Sequence, residues 1–209
     1  MSTTITTLFP THIYRADKAA PATLTAELEV AALSLSRDDI AGIKWCEKHG
    51  YNGYTSYASL NDLAWRMPVF KKLERVLDRH ALAFAKALHW DIKGGKPVCD
   101  SLWVNVLPEG GSHTGHIHPN SVISGTFYVK VPQGAGPIVY EDPRLARMMA
   151  APPRKKSVPQ QFQSHVSFRP EAGSLLLWES WLRHEVPLNR AEGERISVSF
   201  NYVIANKDA

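Results

Sequence analysis

The sequence predicts a mainly β protein, in which a sandwich or barrel of short strands is carried on helices from the N-terminal half. Three observations predict it. Two segments of the first half place apolar residues at helical spacing. From Lys96 onward the apolar period changes to two, in short runs bounded by Gly, Pro and Asn. Three of those runs are polar on one side and apolar on the other, as in a sheet with one face on a core.

The first helix is expected over "PATLTAELEVAALSLS" (21–36), where Leu24, Leu28, Ala31 and Ala32 share a face. The second lies in "PVFKKLERVLDRHALAFAKAL" (68–88). Phe70, Leu73, Leu77, Ala81, Phe84 and Leu88 form its stripe, and Pro68 stands where a first helical turn tolerates it. His80 borders that stripe and reads as structural. Strands are expected in 99–107, 121–131, 136–142, 162–168, 173–179 and 195–204. One long irregular segment remains, "PRLARMMAAPPRKKSVPQQ" (143–161), Pro-rich and basic. With Asp142 and Arg144 at its base, it reads equally as a substrate lid or a solvated loop.

Side chains alternate across a strand, so residues two apart share a face. One face of 195–202 carries Arg195, Ser197, Ser199 and Asn201, and the other Ile196, Val198, Phe200 and Tyr202. Ser124, Thr126 and Tyr128 oppose Gly125, Phe127 and Val129. Ser101, Trp103 and Asn105 oppose Leu102, Val104 and Val106. The polar faces meet solvent or line a cavity for a polar ligand, and Trp103 and Tyr128 favour the cavity.

Composition narrows the partners. The 209 residues, 44% hydrophobic and 21% charged, suit one domain: 1–95 as N-terminal strand and helical support, 96–205 as the β core. The net charge is +4, and no basic run exceeds Arg154–Lys156, so a nucleic-acid partner is not expected. No apolar stretch approaches membrane-spanning length. Cys46 and Cys99 are isolated, and "MSTTITTLFPTHIYR" has no basic-then-apolar leader pattern. A cytoplasmic protein with free thiols is expected.

"GSHTGHIHPN" (111–120) holds three histidines. His116 and His118 are two apart, so on an extended segment both imidazoles point the same way, as one metal ion requires. Pro119 stops the ladder there. His184, in "LLLWESWLRHEVP", follows a strand and is the best distant third ligand. His113 and Asn120 are candidate substrate contacts. A short H-x-H alone would more simply be a solvated turn. Arg195 changes the balance, because a guanidinium on a strand's polar face is costly to bury without an anion. A carboxylate in its fork, with Ser197 beside it, meets that cost.

The order H-x-H, distant His, Arg-x-Ser resembles the iron(II)/2-oxoglutarate-dependent oxygenase superfamily, whose signature is H-x-D/E…H…R-x-S. More closely, "WVNVLPEGGSHTGHIHPNSVISGTFYVKVP", "GPIVYEDPR" and "PEAGSLLLWESWLRHEVP…ERISVSFN" are similar to a bacterial group of small 2OG-Fe(II) oxygenases with an H-x-H-P-N-S motif. The resemblance covers about 95 to 205, and "LFPTHIYR" fits its start. It implies a double-stranded β-helix, or jelly roll, that binds Fe(II), 2-oxoglutarate and O2 and oxidises a small-molecule or peptide substrate. By position, His116 and His184 match the histidine ligands, and His118 stands where the superfamily has a carboxylate. Arg195 and Ser197 match the co-substrate pair, and Asn105 and Tyr128 match inward positions that touch it. The histidine at 118 keeps other readings open. These are a three-histidine cupin-like dioxygenase or isomerase without 2-oxoglutarate, an inactive jelly-roll binding protein, and a zinc hydrolase using Glu179 or Glu185 as base.

Overall fold

The computed structural model describes residues 2–206. Strand β1 (Ile13–Ala16) is followed by helices α1 (Ala22–Asp38) and α2 (Ile40–Lys48), strand β2 (Tyr54–Thr55), the single-turn α3 (Leu63–Arg66) and α4 (Pro68–Ala87). Eight strands dominate the second half: β3 (Lys96–Leu107), β4 (His113–His116), β5 (Ile123–Lys130), β6 (Ile138–Glu141), β7 (His165–Phe168), β8 (Leu175–Glu179), β9 (His184–Val186) and β10 (Arg195–Ala205). Two antiparallel sheets result, with orders β1-β8-β5-β10-β3-β2 and β4-β9-β6-β7. Their alternation along the chain between β3 and β10 is the winding of a double-stranded β-helix.

The helices form where the stripes predict them. Leu24, Leu28, Ala31 and Ala32 of α1 are buried, as are Phe70, Leu73, Leu77, Ala81 and Phe84 of α4. Their partners are the apolar faces of the large sheet: Leu102, Val104 and Val106 of β3, Phe127 and Val129 of β5, and Ile196, Val198, Phe200 and Tyr202 of β10. Polar tips at the edge of this core are satisfied. The Tyr202 hydroxyl donates to Asp78 at 2.8 Å, and Tyr14 shares a 2.9 Å hydrogen bond with Nδ1 of His80. That tie gives His80 its structural place.

Glycine makes one close approach possible. A Cβ on Gly125 would lie 2.4 Å from Cζ of Phe200 and 2.5 Å from Cδ2 of Leu177, so only glycine lets these side chains cross the strand.

Helices α2 and α3 and strands β2, β4 and β9 are additions to the sequence expectation. Helix α2 starts at Asp39, whose side chain accepts from the Gly42 amide at 3.1 Å and from the Tyr54 hydroxyl at 2.9 Å. The capping and the tie to β2 offset weak periodicity in a helix of nine residues. Strands β4 and β9 are too short, at four and three residues, for a period to register. Residues 143–161 contain only the 3-10 turns Leu145–Arg147 and Gln160–Phe162. Among the described residues, no helix is long and apolar enough to cross a membrane.

Candidate metal centre and anion pocket

The polar faces of β3, β5 and β10 form a ladder of rungs. Ser197 of β10 pairs with Asn105 and Tyr128, Ser199 with Trp103 and Thr126, and Asn201 with Ser101 and Ser124. Side chains of all three rungs line a cavity of about 420 Å³ between the two sheets. Its wall therefore follows from the period-two pattern: what faces away from α1 and α4 faces inward.

The histidines enter from the small sheet. His116 ends β4 and stands opposite His184, the first residue of β9. His118 lies just past β4, its amide donating to the Ser180 carbonyl at 3.0 Å. The sheets thus gather His116, His118 and His184, and one ligand nitrogen from each lies within 4.8 Å of the others.

The tautomers suit a metal. Nδ1 of His116 donates to the Thr114 carbonyl at 2.7 Å, and Nδ1 of His184 to the Leu182 carbonyl at 2.9 Å. Since a carbonyl only accepts, each Nδ1 carries the proton and Nε2 keeps its lone pair. Nε2 of His118 is buried without a partner among the described residues. Burial lowers the pKa of His118 to about 4 and of His184 to about 3, and neighbouring His116 adds to both shifts. These imidazoles are held neutral, the form a metal binds.

The inner end of the cavity holds a buried cation without a counter-ion. Arg195 is 1% exposed, and no ion pair among the described residues includes it. Its Nε has no partner, nor has the hydroxyl of Tyr128, whose ring lies 5.1 Å from the guanidinium carbon. Asn105 Oδ1 and Trp178 Nε1 are also buried and unpartnered. Burying such groups unpaired costs about 1–3 kcal/mol each, more for a charge. Burial draws the Arg195 pKa below its ordinary value, and the phenols of Tyr128 and Tyr51 oppose that shift. An oxyanion such as a carboxylate can accept from a guanidinium fork and a phenol together.

The other sequence candidates divide. His113 lines the cavity, 3.1–3.2 Å from the Tyr51 hydroxyl, and burial and then Arg195 lower its pKa to about 3. Asn120 lines the cavity too. Asp142 and Arg144 do not. They pair with each other through three hydrogen bonds of 2.8–2.9 Å and border a second groove, between residues 5–13 and the 141–163 segment. Glu179 and Glu185, the two bases a hydrolase reading needs, are not among the residues lining the metal cavity.

Trp45, Tyr51 and Tyr57 also line the cavity, and the strand pattern does not point to them. They come from α2 and the turns around β2, which the Asp39 contacts fold over the barrel mouth. The aromatic and glycine-rich "GYNGYTSY" (50–57) is the signal that could have found them.

Known proteins share this fold. Residues 101–201 match the model of a family described as "Putative 2OG-Fe(II) oxygenase". No curated protein matches the chain. Among solved structures, the epimerase SnoN from nogalamycin biosynthesis, in complex with Fe3+, alpha ketoglutarate and nogalamycin RO, is 13% identical, with a TM-score of 0.66 over 93% of this chain and 79% of that one. A Pseudomonas putida prolyl-4-hydroxylase is 13% identical, with a TM-score of 0.58 over 94% of both chains. HygX from Streptomyces hygroscopicus, with nickel and 2-oxoglutarate bound, is 15% identical, with a TM-score of 0.61 over 93% of this chain and 83% of its own. At such identities the likeness is one of fold.

Proposed function

Over residues 101–201 this chain belongs to the 2OG-Fe(II) oxygenases, and we propose that His116, His118 and His184 hold its iron while Arg195 anchors 2-oxoglutarate. The observation that carries this reading is a buried guanidinium without a counter-ion, in the same cavity as three converging imidazoles. Fe(II), 2-oxoglutarate and O2 together supply hydroxylase-type oxidation of a substrate, coupled to decarboxylation of the co-substrate to succinate and CO2.

The residues of the chain position and shield. Arg195 holds the distal carboxylate in its fork, and the Tyr128 and Ser197 hydroxyls complete the acceptor's shell. Asn105 fixes the rung beside it, its Nδ2 donating to Ser199 at 3.0 Å. His113 and Tyr51 close the wall near Arg195. Thr114 and Leu182 carbonyls keep two imidazoles in the metal-binding tautomer. His118, neutral where a carboxylate is usual, leaves the centre one unit more positive. The buried Trp178 and Tyr128 rings keep water from the inner end. Arg195 also separates this reading from a cupin-like one, which has no use for a buried guanidinium.

The substrate in this reading is a small molecule or a peptide. We place the enzyme in the cytoplasm on its two cysteines, both unpaired. The test is succinate release from 2-oxoglutarate under air with Fe(II). Wild type retains one iron and forms succinate; His184→Ala does neither and keeps its fold by circular dichroism. Iron retention and turnover in His184→Ala would remove the metal assignment. An unchanged 2-oxoglutarate affinity in Arg195→Ala, by calorimetry with Fe(II) under nitrogen, would remove the co-substrate assignment.

A further inference from the structure

We propose that the outer half of the same cavity selects a cationic substrate, a small molecule bearing an ammonium or quaternary nitrogen. This rests on the reading of the inner half given above. The cavity is lined by two residues of fixed charge, at different places on the ladder. Arg195 stands at its inner end. Asp100, exposed, precedes Ser101, a member of the rung farthest from Arg195. No lysine and no other arginine lines the space between them.

The same cavity has an aromatic wall. The buried Trp103 meets the half-exposed Tyr57 edge-on, with ring centroids 4.9 Å apart and planes at 64°. The edge-on contact leaves each ring a face not spent on the other, and Trp45 lines the same cavity. A cation within about 6 Å of such faces is attracted by their quadrupoles, and a nearby carboxylate adds to the attraction. Neutral acceptors, Asn61, Asn120 and Ser121, line the cavity as well. Trp103 also lies along the His118 ring, with centroids 5.9 Å apart and planes at 26°, so a guest on this wall is next to the metal ligands. A volume of about 420 Å³ shared with the co-substrate leaves room for a small guest.

The opposed signs sort the two ligands. The dianionic co-substrate is repelled from the Asp100 end, and a cation from the Arg195 end, so neither binds in the other's place.

The experiment compares three molecules of one shape on the Fe(II)- and 2-oxoglutarate-loaded protein without oxygen. They are choline, the neutral 3,3-dimethylbutan-1-ol and the anionic 3,3-dimethylbutanoate, each titrated against tryptophan fluorescence. Choline is expected to bind at least about tenfold tighter than the alcohol, and the carboxylate weakest. In Asp100→Asn the preference for choline should fall by about tenfold. Equal binding of the three, no binding of any, or a preference that survives Asp100→Asn overturns the proposal. Tight binding of a capped lysine tripeptide without binding of choline overturns the small-molecule assignment. Calorimetry of 2-oxoglutarate alone separates the two readings. If it binds and choline does not, only the cation site fails.

Discussion

On one face of β3, β5 and β10, Leu102, Val104, Phe127, Val198 and Phe200 are sealed against α1 and α4. On the other face Asn105, Tyr128 and Arg195 are as deeply buried, yet each carries a polar atom without a partner. The same strands build both faces, with the same register and twist, so backbone geometry does not distinguish them. The first face lowers the free energy of the folded chain. The second raises it, and an anion pairing with these groups would recover the loss. One sheet is a foundation on its helix side and a pre-organised receptor on the other.

The sharpest way to break this comparison is to damage the dry face. Phe200→Ala should destabilise the protein by about 3–5 kcal/mol, because a fully buried ring leaves a cavity among close-packed neighbours. Chemical denaturation of the metal-free protein measures it. A loss below about 1 kcal/mol would mean that this face is not the foundation.

The wet face should answer with the opposite sign. Arg195→Met replaces a buried, unpaired guanidinium with an apolar chain of similar length. It should stabilise the ligand-free protein by about 1–4 kcal/mol while abolishing 2-oxoglutarate binding. Thermal unfolding and calorimetry on the same sample read the two effects. Destabilisation together with lost binding would show that Arg195 has a structural partner after all.

With pH the effect of each single group is smaller, and three groups share it. His113, His118 and His184 have folded-state pKa values lowered to about 3–4, against 6.5 for the ordinary imidazole. Below pH 6.5 the unfolded chain takes up protons that the folded metal-free chain refuses. Stability from each group is therefore complete above 6.5 and is lost as pH falls towards 3–4, by about 1.4 kcal/mol per unit per group. Denaturation at pH 7, 6 and 5 checks the slope. A slope of zero would mean that these rings are open to water.

Much of this contrast is legible in the sequence, because alternation with period two is a local property. Arg195, Ser197, Ser199 and Asn201 fall on one side of β10 whatever the rest of the chain does. His116 and His118 share a direction for a related reason, and His184 is recognisable because it follows a run of strand. What stays hidden depends on distant chain segments. Trp45, Tyr51 and Tyr57 reach the cavity only because α2 and β2 dock on the barrel, a result of Asp39 contacts that no periodicity reports. Asp142 and Arg144 illustrate the converse. They stand next to a strand, yet their direction is set by the 143–161 segment and the residues before β1, which carry them to another groove.

The register of β4 against β9 has a further consequence. β4 has four residues and lies at the edge of its sheet, the kind of strand that frays. His116 and His184 face each other across this one ladder. An ion shared between them is a cross-strand clasp, closing the sheet's margin as a crosslink would. Loading the centre should then slow amide hydrogen exchange along 113–116, while the amides of β3 and β10, deep in the larger sheet, keep the rates they have without it.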